Sequence, residues 1–335
     1  MKLPDPIKPW FSSAEQTGEY IGIRFGRIPP GASKPEWIFL PHSKVDGIGG
    51  FADLLRDRGA EICRLPTIKH APKPLRLLAI KNAAKFLKRK EILKWLPLNG
   101  QPGSCSNTTP PTAVAWHVFD ETTTDLIRRA CRKSGYTVNS FLLKHLTRAI
   151  RSHLEDQAAL IPWMIPVNLR GKVSRETDIE NHSSYITVKV GAYDTVRDIH
   201  RQIYAALGRG DHWANWFSYE SSHILPEALR HYLVKTDKYI PVWHIGGFSN
   251  LGDWDPEKKW DLPECEGDWL FCPPVLRCQH LGAGCVTFQN RLTIMIQAHQ
   301  QLTTSCSDPK AWVDGWVKEI QMDLKSLLPE PLVHA

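Results

Sequence analysis

The chain has 335 residues, of which 42% are hydrophobic, and a formal net charge of +7. This composition predicts a globular protein with a large core, built as one large domain or two of ordinary size. The first twenty residues lack the apolar core of a signal peptide, and no stretch reaches the roughly 18 apolar residues of a membrane span, so a cytoplasmic location is expected.

Two strands and a short helix are predicted near the N-terminus. Residues 20–28 (YIGIRFGRI) and 37–41 (WIFLP) are rich in β-branched and aromatic side chains, and a run of turn-forming residues separates them. We expect these two strands to pair. Gly49 and Gly50 then lead into FADLLRDRG, which predicts a helix that Gly59 ends.

A basic segment follows at residues 69–94, where nine Lys or Arg side chains face a single acid, Glu91. Its apolar residues recur at near-helical spacing, which predicts an amphipathic helix. A solvated helix that packs by its apolar side is the favoured interpretation, and peripheral contact with anionic lipid or a phosphate-bearing ligand is the alternative. No nucleic-acid motif accompanies the charge, so no nucleic-acid partner is predicted.

The turn-rich segment 98–114 (LNGQPGSCSNTTPPTAV) is the best linker candidate and predicts two lobes, residues 1–105 and 106–335. In the second lobe, Asp120 or Thr122 is expected to cap a helix that Gly135 ends, and Thr137 a second helix. Strands are predicted at 113–118, 161–167, 184–190 and 291–297, and further helices near 195–207, 226–234 and 309–327. This mixture of strands and helices indicates an α/β layered fold.

Eight cysteines are scattered through the long chain, which favours reduced thiols over a disulfide scaffold. Cys272, Cys278, His280 and Cys285 allow a zinc site as an alternative. However, structural zinc sites usually contain a C-x-x-C pair, and this sequence has none; the segment VLRCQHLGAGCVTFQ instead predicts a strand. No metal and no bound cofactor are therefore predicted.

The segment PHSKVDG, at the exit of the second strand, carries the residues best suited to chemistry. An unperturbed histidine has a pKa near 6.5 and exchanges protons at neutral pH, so His42 is a candidate general base. The glycine after Asp46 predicts a tight turn that directs the carboxylate inward, and a buried carboxylate needs a partner. Arg170, at the end of the apolar strand IPWMIPVNLR, is the candidate partner.

Several segments, in one order along the chain, resemble the CoA-dependent acyltransferase superfamily, which includes chloramphenicol acetyltransferase, condensation domains and wax ester synthases. WIFLPHSKVDGIGGFADLLRD resembles the family's strand, H-x-x-x-D-G loop and helix, and TTTDLIRRACRKSGYTVNSFLLKHLTRAI resembles the helix pair of its second half. IPVNLRGKVSRETDIENHSSYITVKV resembles the N-x-R segment with its following strand, and GGFSNLGDWD the S-N-x-G turn. The matching segments span roughly residues 20–325.

The resemblance implies a chloramphenicol acetyltransferase-like fold of two lobes with mixed sheets, a shortened N-terminal lobe and an active site at the lobe interface. It implies that His42 is the general base and that Asp46 and Arg170 form a structural pair. Gly47 would bind substrate or the oxyanion, with Asn250 and Gly252 as weaker binding candidates. Asn181 and Ser183 match a loosely defined segment and are not counted among the catalytic residues.

The implied reaction is direct acyl transfer, with acyl-CoA or an acyl carrier protein as donor and a small alcohol or amine as acceptor. Two features depart from the family: Pro41 replaces the first of its commonly doubled histidines, and the stretch before the motif is much shorter. With so short an N-terminal stretch, the channel for donor or acceptor is expected to be open on one side, and a second subunit in a homo-oligomer would complete it. A non-catalytic binding module is the rival hypothesis.

The other histidines are interpreted as structural, among them His117, His145, His244 and His280. The tryptophans of the second half are interpreted as core residues or, alternatively, as the lining of an acceptor pocket.

Overall fold

The structure is a computed structural model that describes residues 7–16, 21–68, 93–96, 113–222, 225–237, 244–254, 262–276, 279–299, 302 and 309–327. Its strands are β1 Gly22–Ile28, β2 Glu36–Pro41, β3 Ala113–Val118, β4 Ile161–Asn168, β5 Ser183–Val190, β6 Gly246–Trp254, β7 Asp268–Cys272, β8 Leu281–Phe288 and β9 Arg291–Ala298. Its helices are α1 Lys8–Gln16, α2 Gly47–Arg56, α3 Glu121–Ser134, α4 Val138–Arg151, α5 Val196–Gly208, α6 Asp211–Ser222, α7 Glu227–Asp237 and α8 Pro309–Leu327.

The described strands form two sheets. The larger has the order β3-β9-β8-β6-β4-β5, and β6 pairs in parallel with both β4 and β8, whereas the other pairs are antiparallel. The smaller has the order β2-β1-β7 and is antiparallel throughout. The predicted α/β layered fold is confirmed, although only the larger of its two sheets is mixed.

Strand β7 joins the two halves of the chain, because it lies in the second predicted lobe but pairs with β1 of the first. Phe25 is opposite Phe271 in this pairing. Together with Phe51 on α2, these two rings form the centre of a core beneath the smaller sheet. The predicted boundary between residues 105 and 106 lies outside the described residues and stays a prediction.

Local capping signals define the helices of the larger lobe. The side chain of Asp120 accepts a hydrogen bond from the backbone N–H of Thr123, and Gly135 ends the same helix in the left-handed conformation at φ 71°. Thr137 caps α4 in the same way through the N–H of Ser140. Both caps were predicted from the sequence.

The tryptophans of the second half lie mainly in the core. Trp163, Trp213, Trp312 and Trp316 are fully buried, and Trp216 is 2% exposed. Their burial favours the core interpretation over the predicted alternative of an aromatic acceptor pocket. Three further elements, α1, α6 and β7, were not predicted.

The segment Ser249–Gly252 differs from its prediction as a turn, because it lies inside β6. The register with β8 shifts between Asn250 and Asp253, which marks a β-bulge. Gly252 has φ 86°, and its N–H donates to Oδ1 of Asn250 at 2.9 Å. A strand with a bulge therefore replaces the expected turn.

No helix among the described residues is long and apolar enough to cross a bilayer. The basic segment falls largely outside the described residues, since residues 69–92 are not among them. Its predicted helix and its predicted membrane contact stay predictions.

Candidate active site

His42 lies just after β2, where contacts with Ile21 and with α1 fix its position. Its backbone N–H donates to the carbonyl of Ile21 at 2.9 Å, which extends the pairing of β1 with β2 by one residue. The ring of Phe11, on α1, packs edge-on against the imidazole with the centroids 5.0 Å apart. The residue therefore has both a fixed backbone and a supported ring.

The hydrogen bond of the His42 ring determines its tautomer. Nδ1 lies 2.9 Å from the carbonyl oxygen of Val45, and a carbonyl only accepts. Nδ1 therefore carries the proton in the neutral ring, and the lone pair is on Nε2. Burial lowers the pKa of His42 below its usual 6.5, and the bond to Val45 and the charge of Asp46 only partly oppose this effect. The ring is therefore neutral at pH 7.

Asn181 holds the backbone of His42 from the larger lobe. Its Oδ1 accepts from the N–H of Ser183 at 3.0 Å and from the hydroxyl of Ser183 at 2.7 Å, which fixes the orientation of the amide. Its Nδ2 consequently faces His42 and donates to the carbonyl oxygen at 3.0 Å. The same Nδ2 lies 3.3 Å from Nδ1 of His42, a longer contact than the 2.9 Å from Nδ1 to the Val45 carbonyl oxygen. Asn181 is 1% exposed. The sequence prediction left this residue out.

Asp46 is the N-cap of α2 and is almost fully buried. One carboxylate oxygen accepts from the N–H of Gly49 at 2.8 Å and from Nη2 of Arg170 at 2.8 Å. The other accepts from the N–H of His182 at 2.8 Å. The side chains of Asp46 and Arg170 are each 4% exposed, so the ion pair is buried.

The remaining donors of Arg170 bind the loop that joins β4 to β5. Nε donates to the carbonyl of Asp178 at 2.8 Å, Nη1 to Oδ1 of Asn168 at 3.1 Å, and Nη2 also to the carbonyl of Glu180 at 3.2 Å. A buried ion pair stabilises a fold only when the remaining hydrogen-bonding groups are satisfied. This guanidinium meets that condition and anchors the loop to α2.

Gly49 lets the same loop approach α2 closely. A Cβ atom added at this position would lie 2.0 Å from the carbonyl oxygen of Ile179 and 2.8 Å from Nη2 of Arg170. Both distances are below van der Waals contact. Glycine is therefore required where the loop that joins β4 to β5 contacts α2 beside the motif.

A cavity of about 80 Å³ lies beside His42, between the two sheets. Its apolar wall consists of side chains from β1, β4, β7 and the residues that follow β7: Ile23, Met164, Pro166, Phe271, Pro273 and Pro274. Hydroxyl-bearing side chains complete the lining, among them Ser183, Ser249 and Tyr219. Burial raises the pKa of Tyr219 to about 12, so its phenol stays protonated at neutral pH.

Comparison with solved structures identifies the fold. The chain superposes on a trichothecene 15-O-acetyltransferase from Fusarium sporotrichioides with a TM-score of 0.52 and 11% identity, covering 97% of this chain and 75% of that one. It superposes on the condensation domain of the monacolin K polyketide synthase MokA with a TM-score of 0.54 and 11% identity, covering 88% and 70%. It superposes on a wax ester synthase/diacylglycerol acyltransferase from Marinobacter aquaeolei with a TM-score of 0.51 and 12% identity, covering 86% of this chain and 68% of that one.

The chain has the fold of the CoA-dependent acyltransferases. The predicted resemblance is thus confirmed at the level of the fold. At 11–12% identity these likenesses show the fold alone. No protein-family model and no curated protein sequence matches the chain.

Within the acyltransferase fold, the predicted site residues fall into two groups. His42 and Gly47 line the cavity, and Asp46 and Arg170 form the buried pair next to it. Asn250 and Gly252, the two weaker binding candidates, lie in the bulge of β6 and are not among the residues that line this cavity. Ser249 lines it instead.

Two residues outside the predicted catalytic list contact His42: Asn181, which the sequence analysis named but did not count, and Phe11, which it did not name. Asn181 lies in the segment ENHSSYITVKV, which precedes a predicted strand and resembles the family, so a signal for it was present. Phe11 is on a helix that was not predicted. Its contact with His42 depends on the packing of α1 against α6 and α7, which no local pattern reveals.

Proposed function

We propose that the chain is an acyltransferase that moves an acyl group from an acyl-CoA or carrier-bound thioester directly to a hydroxyl or amine, with His42 as general base. One observation carries the proposal. The neutral imidazole of His42, whose Nδ1 is bonded to the Val45 carbonyl, lines a cavity between the two sheets of an acyltransferase fold. Nε2 is thereby available to accept a proton.

The chemistry balances without a covalent enzyme intermediate. Nε2 of His42 takes the proton of the acceptor O–H or N–H while that atom bonds to the thioester carbonyl carbon. The tetrahedral intermediate then collapses, the C–S bond breaks, and the departing thiolate takes the proton back from the imidazolium. A positioned base of this kind typically contributes a factor of about 10² to 10⁴ in rate.

Two groups in the cavity wall suit the negative charge that develops on the carbonyl oxygen. Gly47 is the first residue of α2, and the first N–H groups of a helix have no acceptor within the helix. The hydroxyl of Ser249 lines the same cavity. Prepositioned donors of this type stabilise an oxyanion more effectively than water does.

The decisive test is the variant His42→Ala, assayed by release of free thiol from acyl-CoA in the presence of primary alcohols and amines. We expect turnover to fall by about 10² to 10⁴ while the circular dichroism spectrum is unchanged. His200→Ala is the matched control, because His200 lies on α5 and does not line the cavity. Equal turnover in His42→Ala and in the unmodified protein would refute the proposal.

The pH dependence of turnover provides an independent test of the same base. Because burial lowers the pKa of His42 below 6.5, the imidazole stays neutral, and able to accept a proton, down to a pH below that value. We expect kcat/KM to be level near pH 7 and to fall on the acid side with a midpoint below 6.5. A midpoint clearly above 6.5 would assign the base to another group.

A second candidate function is a binding module that keeps the acyltransferase fold without its activity. The observation that favours it is the cavity volume of about 80 Å³, since sites for drug-sized ligands usually measure about 300–1,000 Å³. Titration calorimetry with acetyl-CoA and palmitoyl-CoA separates the two functions. Absence of binding for both, together with absence of turnover, would favour the module.

The remaining expectations concern the surroundings of the protein. Peripheral membrane contact would involve segment 69–94. Three other expectations rest on the sequence and on the resemblance: a cytoplasmic location, a carrier protein as donor and a homo-oligomer. Co-sedimentation with liposomes of increasing anionic lipid content tests the membrane contact. We keep it as a proposal secondary to acyl transfer.

A further inference from the structure

We propose that the cavity beside His42 receives a short acyl group, of about two to four carbons, and that Met164 sets this limit. The inference rests on the proposed acyl transfer and specifies its donor. It follows from the size of the cavity and from the packing of one side chain in its wall.

The size of the cavity limits the acyl group. Each water-sized position needs roughly 10–15 Å³ of such space, so about 80 Å³ offers about five to eight positions. At about one heavy atom per position, a butanoyl group with its carbonyl oxygen and the attacking acceptor atom needs about six positions, near the middle of this range. A hexanoyl group needs about eight, which is the upper end of the range. An octanoyl or palmitoyl chain therefore exceeds the space beside the base.

The wall of the cavity offers both apolar surface and hydrogen-bonding groups to a small acyl group. The apolar wall contains Ile23, Phe271, Pro273 and Pro274, which offer no strong hydrogen-bonding side chain. His42, Gly47, Ser249 and the hydroxyls of Ser183, Ser184, Tyr185 and Tyr219 provide the polar groups. This lining can contact both the carbonyl and the alkyl carbons of a small acyl group.

Met164 occupies space that a longer acyl chain would need. Met164 is opposite Gly247 in the parallel pairing of β4 with β6. A Cβ atom added at Gly247 would lie 3.2 Å from the terminal methyl of Met164 and 2.9 Å from Nε2 of Gln279, so these two side chains fill the space that the glycine leaves open. Unlike the prolines of the wall, methionine is unbranched, and it fills irregular gaps by adjusting three torsions.

Shortening this side chain is therefore expected to lengthen the cavity. Met164→Ala removes Cγ, Sδ and Cε, and a chain longer by about three carbons then fits. The backbone of β4 is held by its pairing with β5 along its whole length, so it is expected to stay in place. Met322→Ala is the matched control, because Met322 is 55% exposed on α8 and does not line the cavity.

The experiment uses the full chain with acetyl-, butanoyl-, hexanoyl-, octanoyl- and palmitoyl-CoA. Thiol release gives kcat/KM with a primary alcohol or amine as acceptor, and calorimetry gives the affinity of each thioester. We expect kcat/KM for butanoyl-CoA to exceed that for octanoyl-CoA at least tenfold, with a parallel trend in affinity. In Met164→Ala the optimum is expected to move to hexanoyl- or octanoyl-CoA, and in Met322→Ala it is expected to stay.

The outcomes separate this inference from the proposed function. Turnover that depends on His42 but is greatest for palmitoyl-CoA, or is indifferent to length, overturns the short-chain inference and leaves acyl transfer in place. A length preference that Met164→Ala does not move overturns the assignment of the limit to Met164. Absence of both binding and turnover for every thioester overturns the inference together with the proposed function.

Discussion

Replacing Arg170 with alanine is expected to lower the free energy of unfolding by about 3–5 kcal/mol, the range typical of removing one partner of a buried ion pair. Asp46 is 3% exposed. Without Arg170, its carboxylate would keep only the N–H groups of Gly49 and His182 as donors. Arg170 also binds the carbonyls of Asp178 and Glu180, which would lose a charged donor. Urea unfolding of both proteins measures the difference.

The pair between Arg56 and Asp178 is the matched control for this experiment. It is bidentate, with contacts of 2.9 and 2.7 Å, whereas Arg170 contacts Asp46 through Nη2 alone, and it connects the same helix to the same loop. Its side chains are, however, 28% and 45% exposed, and exposed pairs contribute about 0–1 kcal/mol. We therefore expect Arg56→Ala to lower the free energy of unfolding much less than Arg170→Ala does.

A double-mutant cycle distinguishes pairing from general loss of packing. The cost of Arg170→Ala should shrink strongly when Asp46 is already replaced by asparagine, because a neutral amide needs no counter-charge. If Arg170→Ala costs less than about 1 kcal/mol, or costs the same in both backgrounds, Arg170 does not neutralise a buried carboxylate.

The contrast between these residues shows what the sequence could predict. Asp46 and Arg170 were paired in advance because a glycine after an aspartate indicates a turn, and a buried carboxylate requires a cation. Arg56 and Asp178 carried no comparable signal, since neither stands at the end of a strand. A local pattern therefore predicts a contact only where chemistry demands a partner.

Long-range pairing limited the prediction of the fold. Helices α3 and α4 were predicted because Asp120, Gly135 and Thr137 give local capping signals. Strand β7 has only five residues, and its place beside β1 depends on the packing of Phe271 against Phe25. Such an arrangement arises from tertiary contacts and leaves no periodic pattern in the sequence.

The cavity could be predicted even less from the sequence, because its lining comes from seven strands or helices, from His42 after β2 and from the residues after β7. The resemblance placed His42 beside substrate but gave no volume. Met164 was part of a predicted strand, and only the pairing of β4 with β6 places it across from Gly247. Substrate size is therefore a property of the assembled sheets.

Replacing Gly49 with alanine is the second change with a large expected effect on stability. Inside a helix, alanine is favoured over glycine by up to about 1 kcal/mol, so propensity alone predicts a gain. The added Cβ would, however, lie 2.0 Å from the carbonyl oxygen of Ile179, and that atom belongs to the backbone and cannot rotate away. Such overpacking typically costs about 1–3 kcal/mol, and here the forced shift also displaces Nη2 of Arg170.

We therefore expect Gly49→Ala to be destabilising by about 2 kcal/mol or more in urea unfolding, with the clash outweighing the helix propensity. Gly208→Ala is the control, because Gly208 is the last residue of α5 and an added Cβ there meets nothing within 4 Å. That variant should be neutral or slightly stabilising. Hydrogen exchange shows where the structure is disturbed. The His182 amide, which donates to Asp46, should exchange faster in Gly49→Ala and at an unchanged rate in Gly208→Ala. If Gly49→Ala and the unmodified protein have equal stability and equal exchange, the loop can move away from α2 without disturbing the buried pair. Other contacts would then hold the loop against the rest of the fold.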